Sequence, residues 1–178
     1  AYMGIVCLPD GKTVFLDIFN SRCCSYDFNY QYLSEYRLTS EPKRMSAVDR
    51  NGIAVSLPDE MKIHFLLIGD TITSTRIIST TRWCTETASL NSKDMVFTGY
   101  QNEKYHWGIL TRNGHEKSCF YIPGHGMTLD TSGTHQTLNL LKTRVYISCY
   151  HKNVVYCFGL DGMKHFEPQS QRTKRSNN

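Results

Sequence analysis

A short apolar stretch, followed by a polar turn and a cation, recurs four times along this chain and constrains its fold. It occurs at residues 14–22 (VFLDIFNSR), 54–62 (AVSLPDEMK), 96–104 (VFTGYQNEK) and 145–153 (VYISCYHKN). The starts lie 40, 42 and 49 residues apart, and no segment shows the 3.6-residue periodicity of an amphipathic helix. A helix-free repeat of this length is typical of a β-propeller blade. The sequence therefore predicts an all-β fold of four-stranded propeller blades.

Turn signals divide each repeat into four strands. In the first repeat they stand at residues 9–12 (PDGK), 20–21 (NS) and 28–29 (FN). We expect Tyr32, Ser34 and Tyr36 of the outer strand to share one face, because side chains alternate along a strand. The four blades are predicted at about residues 3–40, 41–80, 81–124 and 135–166.

Two segments do not fit the repeat. Residues 123–135 form a longer, Gly-rich link between the third and fourth blades, and we expect a functional loop there. Residues 167–178 are polar and basic, and we expect them to be disordered.

Four blades are fewer than most propellers contain. The chain begins on Ala1, almost at the start of a strand, so we expect it to be part of a longer protein. The blades are then part of a larger, six-bladed ring. Isolated from that ring, they would expose strand edges and tend to associate.

Composition limits the function classes only broadly. The 178 residues carry a net charge of +4, with 20% charged and 40% hydrophobic residues, which fits one folded domain. The longest apolar runs, such as residues 65–68, are far shorter than the roughly 20 residues of a membrane helix. No secretory signal opens the chain, and we expect a cytoplasmic protein that does not contact membranes.

Cysteine usage agrees with a reducing compartment. The chain has seven cysteines, an odd number, and most lie inside predicted strands. Neither a C-x-x-C nor an H-x-x-x-H motif provides metal-ligand spacing. Reduced thiols packed as small apolar groups are favoured over a zinc site or a disulfide framework.

Three stretches resemble a known repeat family. They are residues 8–17 (LPDGKTVFLD) with Arg22, residues 47–56 (AVDRNGIAVS) with Lys62, and residues 145–148 (VYIS) with 159–162 (GLDG). The pattern is similar to the NHL-type repeats of tripartite-motif-like proteins, and the second unit is similar to the large families of these proteins in molluscs.

The resemblance implies a recognition module. In that family the propeller follows a RING domain, B-boxes and a coiled coil, and the RING carries the ubiquitin-ligase activity. None of those zinc-binding clusters is present in residues 1–178. The resemblance therefore implies that this region recruits a substrate or partner, performs no catalysis and needs no cofactor. Some relatives bind RNA on one face of the ring, and others bind protein.

Propeller topology sorts the loops into two faces. Loops that join the second strand to the third, and one blade to the next, form what we call the linker face; the remaining loops form the opposite face. The linker face collects seven cations against five carboxylates, and the opposite face six against six. The candidate binding residues are Phe19, Arg22, Lys43, Arg44, Lys62, Arg82, Trp83, Tyr100, Lys104, Tyr150, His151 and Lys152.

Cations beside aromatic rings suit two kinds of partner. Tyr, Trp and Arg are enriched in protein hot spots, while single-stranded RNA needs cations for phosphates and rings for bases. The alternative is that the rings cap blade packing and the cations are simply solvated. We predict a protein partner, with RNA as the second candidate, and infer no small-molecule substrate. Trp107, which shares a strand face with Tyr105, is predicted to lie in the core.

An enzymatic alternative is a calcium-dependent lactonase-type propeller. Its site would need hard oxygen ligands converging on the central axis. Asp59, Glu60, Asn102 and Glu103 are candidates by loop position, but the predicted inner strands carry almost no inward carboxylate except Glu86. No G-x-S-x-G motif is present. We therefore predict no catalytic and no metal-binding residues.

Overall fold

The structure, a computed structural model, describes residues 2–102, 104–122, 138–141, 144–149 and 154–166. The chain divides into two compact units, residues 1–127 and 128–178. The predicted functional loop at 123–135 and the predicted disordered tail at 167–178 lie outside the described residues, so both stay predictions. Among the described residues, no helix is long and apolar enough to cross a membrane.

The unit of residues 1–127 contains three antiparallel sheets of four strands each, in which every strand pairs with the next along the chain. The first sheet consists of β1 (Tyr2–Cys7), β2 (Thr13–Asp17), β3 (Arg22–Tyr26) and β4 (Tyr32–Arg37). The second consists of β5 (Arg44–Ala47), β6 (Gly52–Leu57), β7 (Lys62–Ile68) and β8 (Ile72–Ser79). The third consists of β9 (Trp83–Ser89), β10 (Asp94–Gln101), β11 (Lys104–Thr111) and β12 (Glu116–Tyr121).

The unit of residues 128–178 contains a fourth sheet of the same kind. It consists of β13 (Leu138–Leu141), β14 (Arg144–Cys149), β15 (Val154–Gly159) and β16 (Lys164–Phe166). Val145, Ile147, Tyr156 and Phe158 pair across β14 and β15 and are buried. The prediction of an all-β chain with four four-stranded sheets is confirmed.

Turn chemistry explains why the strands end where they do. Gly114 and Gly162 have φ values of 88° and 84°, which an L side chain rarely adopts, and they close the β11–β12 and β15–β16 turns. Pro58–Glu60 forms a single 3₁₀ turn between β6 and β7. The outer strand β8 carries Thr and Ser side chains exposed to solvent, as expected for the edge of a sheet.

The first and second sheets pack face to face through an apolar core. Leu16 and Cys23 of the first sheet share this core with Val55, Leu66 and Ile68 of the second, and all five are at most 1% exposed. Each fully buried aliphatic side chain contributes about 1.5–3 kcal/mol relative to an exposed one. This burial is what holds the two sheets together.

The second and third sheets share another core. Ile63 and Phe65 of the second sheet pack with Met95, Phe97 and Leu110 of the third. β6 is therefore buried along its whole length, because its two faces point into the two cores. Trp107 is fully buried, with its ring 4.8 Å from that of Phe120, so its predicted core position is confirmed.

Polar contacts also join the second and third sheets. Arg112 donates to the Asp49 carboxylate at 2.6 Å and to the Val48 carbonyl at 2.6 Å. The same guanidinium reaches the Ser89 hydroxyl at 3.2 Å and the Asn91 carbonyl at 3.1 Å. One side chain thus ties together three turns of the opposite face.

One buried polar side chain in the second sheet forms no hydrogen bond in the described part of the chain. His64 on β7 is 1% exposed, and neither ring nitrogen has a hydrogen-bond partner in the described part of the chain. Burial lowers the pKa of His64; the Glu60 charge opposes that effect and the Lys62 charge adds to it. His64 therefore stays neutral in the folded protein at pH values where an unfolded histidine is protonated.

This imidazole makes stability depend on pH. Because the folded pKa lies below the unfolded one, the unfolded chain takes up the proton first as pH falls. The free energy of unfolding is expected to decrease as pH drops below about 6.5, by about 1.4 kcal/mol for each unit of pKa depression. Urea unfolding at about pH 7.5 and about pH 5.5, one on each side of the ordinary histidine pKa of about 6.5, measures this decrease.

His64→Leu should reduce this decrease, while His115→Gln, at an exposed turn residue, should leave it unchanged. A decrease of the same size in His64→Leu would show that another group causes it.

Candidate functional site

In the first and second sheets, the turn between the second and third strands accepts a backbone hydrogen bond from the link that follows the sheet. The Leu38 amide donates to the Ser21 carbonyl, and the Thr80 amide to the Met61 carbonyl, both at 2.7 Å. In the third sheet the Ile122 amide donates to the Tyr105 carbonyl at 3.0 Å. The β2–β3 and β6–β7 turns are therefore each held by a backbone hydrogen bond to the link after their sheet.

The three turns share an unusual backbone feature. Ser21, Met61 and Asn102 have φ values of 47°, 51° and 49°, and Ser21 and Met61 directly precede the third strand of their sheets. The left-handed region is uncommon for residues other than glycine, and for a bulky residue such as Met it costs about 1–2 kcal/mol. In the first two turns the amide of this residue donates a backbone hydrogen bond, from Ser21 to the Ile18 carbonyl at 3.1 Å and from Met61 to the Pro58 carbonyl at 2.8 Å.

Arg22 is held by two carboxylates. Its Nε donates to Asp17 at 3.3 Å and its Nη1 to Glu35 at 2.6 Å. The Arg22 hydrogen bond is the main reason that the pKa of Glu35 is lowered. The pKa of Asp17 is also lowered, chiefly by the hydrogen bond from the Asn20 side chain and also by Arg22.

Arg82 forms a two-pronged ion pair with Glu116. Its Nε and Nη2 lie 3.2 and 2.9 Å from the two carboxylate oxygens, and its side chain is only 12% exposed. The guanidinium carbon lies 5.9 Å from the centre of the Phe97 ring. Arg82 is therefore built into the third sheet.

Arg44 and Lys62 are also paired. The Nε of Arg44 lies 3.1 Å from Oε1 of Glu86, and this ion pair joins β5 and β9, the inner strands of the second and third sheets. Lys62 lies 2.7 Å from Glu60. That ion pair, with hydrogen bonds from Thr39 and Ser40, lowers the pKa of Glu60 to about 2.

This pairing changes the character of the linker face. The sequence places Arg22, Arg44, Lys62 and Arg82 there as a basic surface, whereas the structure shows each of them in an ion pair. A cation that already lies against a carboxylate attracts a phosphate less strongly, because the carboxylate's opposite charge partly cancels its field. Their role in binding a partner stays a prediction.

The remaining predicted cations are fewer. Lys104 is exposed, and its ammonium lies 5.6 Å from the centre of the Tyr121 ring. Lys43 is half-buried. Tyr150, His151 and Lys152 lie outside the described residues, so their place on this face stays a prediction.

Trp83, Tyr100 and Tyr105 form an aromatic row across the third sheet. They are opposite one another in the register of β9, β10 and β11, with ring centres 6.5 and 5.0 Å apart. The Trp83 indole donates to the Asp59 carboxylate at 3.2 Å. The structure thus brings together Trp83 and Tyr100 as predicted, and Asp59 fixes the orientation of the indole.

Two large apolar side chains protrude from equivalent turns. Phe19, in the turn between β2 and β3, is 76% exposed, and Met61, in the turn between β6 and β7, is 48% exposed. Phe19 was predicted as a site residue. Met61 is not among the predicted binding residues, and its position after a Pro-Asp-Glu turn is the signal that marks it as a loop residue.

The candidate calcium ligands have other roles. Asp59 binds Trp83, Glu60 binds Lys62, and Glu86 binds Arg44. Asn102 occupies the left-handed position of its turn, and Glu103 lies outside the described residues. In the described part of the chain, no group of three His, Cys, Asp or Glu residues lies close enough together to hold a metal ion.

The buried thiols are poor nucleophiles. Burial raises the pKa of both Cys23 and Cys84 to about 12, so they are protonated at neutral pH. None of the six cysteines with described side chains forms a disulfide, and Cys7 is exposed.

Comparison with solved structures identifies the fold. The chain is similar to virginiamycin B lyase from Staphylococcus aureus (TM-score 0.72, 12% identity), covering 97% of this chain and 56% of the lyase. It is also similar to BamB from Moraxella catarrhalis (TM-score 0.61, 12% identity), covering 92% of this chain and 51% of BamB. A third similar structure is the WD40 β-propeller domain of Doa1 (TM-score 0.67, 9% identity), where the match covers 91% of this chain and 51% of that domain.

These similarities show a β-propeller fold, as the repeat predicted. At such low identity they show the fold alone. The chain spans about half the length of each structure. The sequence matches no protein-family model and no curated protein.

Cysteine reactivity tests the description of the thiols. Treatment of the native protein with iodoacetamide, followed by peptide mass spectrometry, is expected to modify Cys7 first. Cys23 and Cys84 should react only after unfolding in guanidinium chloride, because they are buried and protonated. Native modification of Cys84 as rapid as that of Cys7 would contradict the structure.

Proposed function

We propose that this chain is a non-enzymatic binding module that recognises a protein partner through its linker face. The observation that carries the proposal is the exposure of Phe19 and Met61 on equivalent turns that backbone hydrogen bonds hold. A large apolar side chain held in water gains free energy when a partner covers it. Because the turns are already fixed, little conformational entropy is lost on binding.

The neighbouring residues supply the rest of such a surface. Trp83 is held in one orientation by Asp59, and Lys104 provides an exposed cation beside Tyr121. Protein interfaces combine a few aromatic or apolar anchors with a polar rim. The linker face has this composition.

RNA is the weaker candidate for the same surface. Binding of nucleic acid depends mainly on cations that replace the counterions of the phosphates. Arg22, Arg44, Lys62 and Arg82 already neutralise carboxylates of this chain. Lys43 and Lys104 remain for phosphate contacts among the predicted cations that the structure describes.

The resemblance to NHL-type repeats extends the proposal. We infer that the module recruits a substrate for a ubiquitin ligase whose catalytic domains lie elsewhere in the full-length protein, and that it acts in the cytoplasm. A non-enzymatic role is supported by the candidate calcium ligands, since Asp59, Glu60 and Glu86 are all engaged in bonds within the fold. The buried cysteines agree with a reducing compartment.

Site-specific photocrosslinking tests the protein-binding surface. Phe19 is replaced with benzoylphenylalanine, and the labelled chain is irradiated in a lysate of cells that express this protein. We expect an adduct of discrete mass that proteinase removes and ribonuclease does not, because a partner buries this turn.

The matched control carries the same photoreactive residue in place of Phe28. That side chain is similarly exposed, at 73% against 76%, but lies in the β3–β4 turn on the opposite face. An adduct at position 28 to the same partner, or a ribonuclease-sensitive adduct at position 19, would contradict protein recognition by the linker face.

A further inference from the structure

The indole of Trp83 and the carboxylate of Asp59 meet at one corner of the linker face. Trp83 begins β9 of the third sheet, and Asp59 lies in the 3₁₀ turn of the second sheet, which packs against β9. The indole N–H donates to Oδ1 of Asp59 at 3.2 Å. We call Trp83, Asp59 and Tyr100 together the indole corner. All three residues belong to the unit of residues 1–127.

The Trp83 ring is held from two directions. Asp59 fixes its N–H edge, and the Tyr100 ring, opposite Trp83 in the β9–β10 register, lies 6.5 Å away at an angle of 60°. The Tyr105 ring lies 5.0 Å beyond Tyr100 at an angle of 56°. The rings are tilted rather than stacked, and Trp83 is only half-buried. An oriented, partly exposed indole offers the negative face of its π system to a cation.

Asp59 adds a full negative charge beside that ring. The two cations nearest to the corner along the chain are engaged elsewhere, since Lys62 is paired with Glu60 and Arg82 with Glu116. Asp59 is exposed, and within the described ranges no cation of this chain forms an ion pair with it. Its charge is therefore available to a cation from another molecule.

An indole face beside a carboxylate is the chemistry that recognises a guanidinium group. A guanidinium is planar, so it stacks on an aromatic ring, and its N–H groups donate to a carboxylate as a fork. An ammonium is a compact and strongly hydrated charge, which gains less from a flat ring. A phosphate would be repelled by Asp59. The indole corner therefore favours arginine over lysine and over any anion.

We propose that the indole corner binds an arginine side chain of the protein partner. This inference rests on the proposed function, because it names one contact made by the same linker face. Phe19 and Met61 supply apolar contacts, and the indole corner supplies the charged one, in which the guanidinium covers Trp83 and neutralises Asp59. Trp and Arg are both enriched at the energetic centres of protein interfaces.

Titration of the isotope-labelled full chain with N-acetyl-arginine amide, followed by NMR of the indole N–H signals, tests the corner without the partner. The chain has two tryptophans, and the Trp83→Phe variant identifies the Trp83 signal. We expect this signal to report at least threefold tighter binding than with N-acetyl-citrulline amide, which has the same shape and no charge, because only a cation gains from the π face. A threefold change corresponds to about 0.7 kcal/mol.

Two matched variants locate the charge. Asp59→Asn keeps an oxygen that can accept from the indole, and should lower the affinity for the arginine amide to that for the citrulline amide. Asp70→Asn makes the same change at an exposed turn residue of the opposite face and should leave the affinity unchanged. Equal affinity for the two amides, or an Asp59→Asn variant that binds the arginine amide as well as the natural chain, would overturn the proposal.

The crosslink at position 19 separates this inference from the proposed function. In the chain with benzoylphenylalanine at position 19, Asp59→Asn should lower the yield of the adduct at least threefold. An unchanged yield would leave recognition by the linker face in place and would overturn the arginine contact. A chain that forms no adduct but binds the arginine amide through Asp59 would contradict the proposed function and support the guanidinium preference of the indole corner.

Discussion

A four-stranded sheet with apolar residues on both faces has to bury each face against another layer. In residues 1–127 the second sheet achieves this, since its two faces enter two separate cores. The first sheet buries one face with the second sheet and leaves Ile5 and Tyr32 exposed on the other. The proposed recognition surface depends on this packing, because the packed sheets carry the turns of the linker face.

Packing also explains the ion pairs of the linker face. Arg44 and Glu86 stand on neighbouring inner strands, where burial of either charge alone would be costly and pairing reduces that cost. Arg82 is held by Glu116 for the same reason. These two cations are therefore part of the packing of the sheets, whereas the apolar turn residues Phe19 and Met61 are exposed.

The sequence predicted the strands well, because turn signals such as residues 9–12 and 20–21 mark their ends locally. It predicted the burial of Trp107 from strand alternation. The sequence predicted wrongly that Tyr32 shares a face with Ser34 and Tyr36. The register of β3 and β4 shifts between Ser25 and Tyr26, so that Tyr32 pairs with Tyr26 instead. Such a β-bulge depends on the pairing of two strands and leaves no local signal in the sequence. The sequence also missed the partners of Arg44 and Arg82, because Glu86 and Glu116 lie 42 and 34 residues away along the chain.

We propose that Arg22, Arg44, Lys62 and Arg82 stay paired with their carboxylates and that a protein partner binds to the apolar side chains of the linker face. The most direct test is fluorescence anisotropy of a labelled single-stranded RNA, titrated with the full chain over a series of salt concentrations. The ion pairs predict no saturable binding even at low salt. Tight binding that weakens steeply as salt rises would show that several of these cations are available to phosphates, and would contradict the claim.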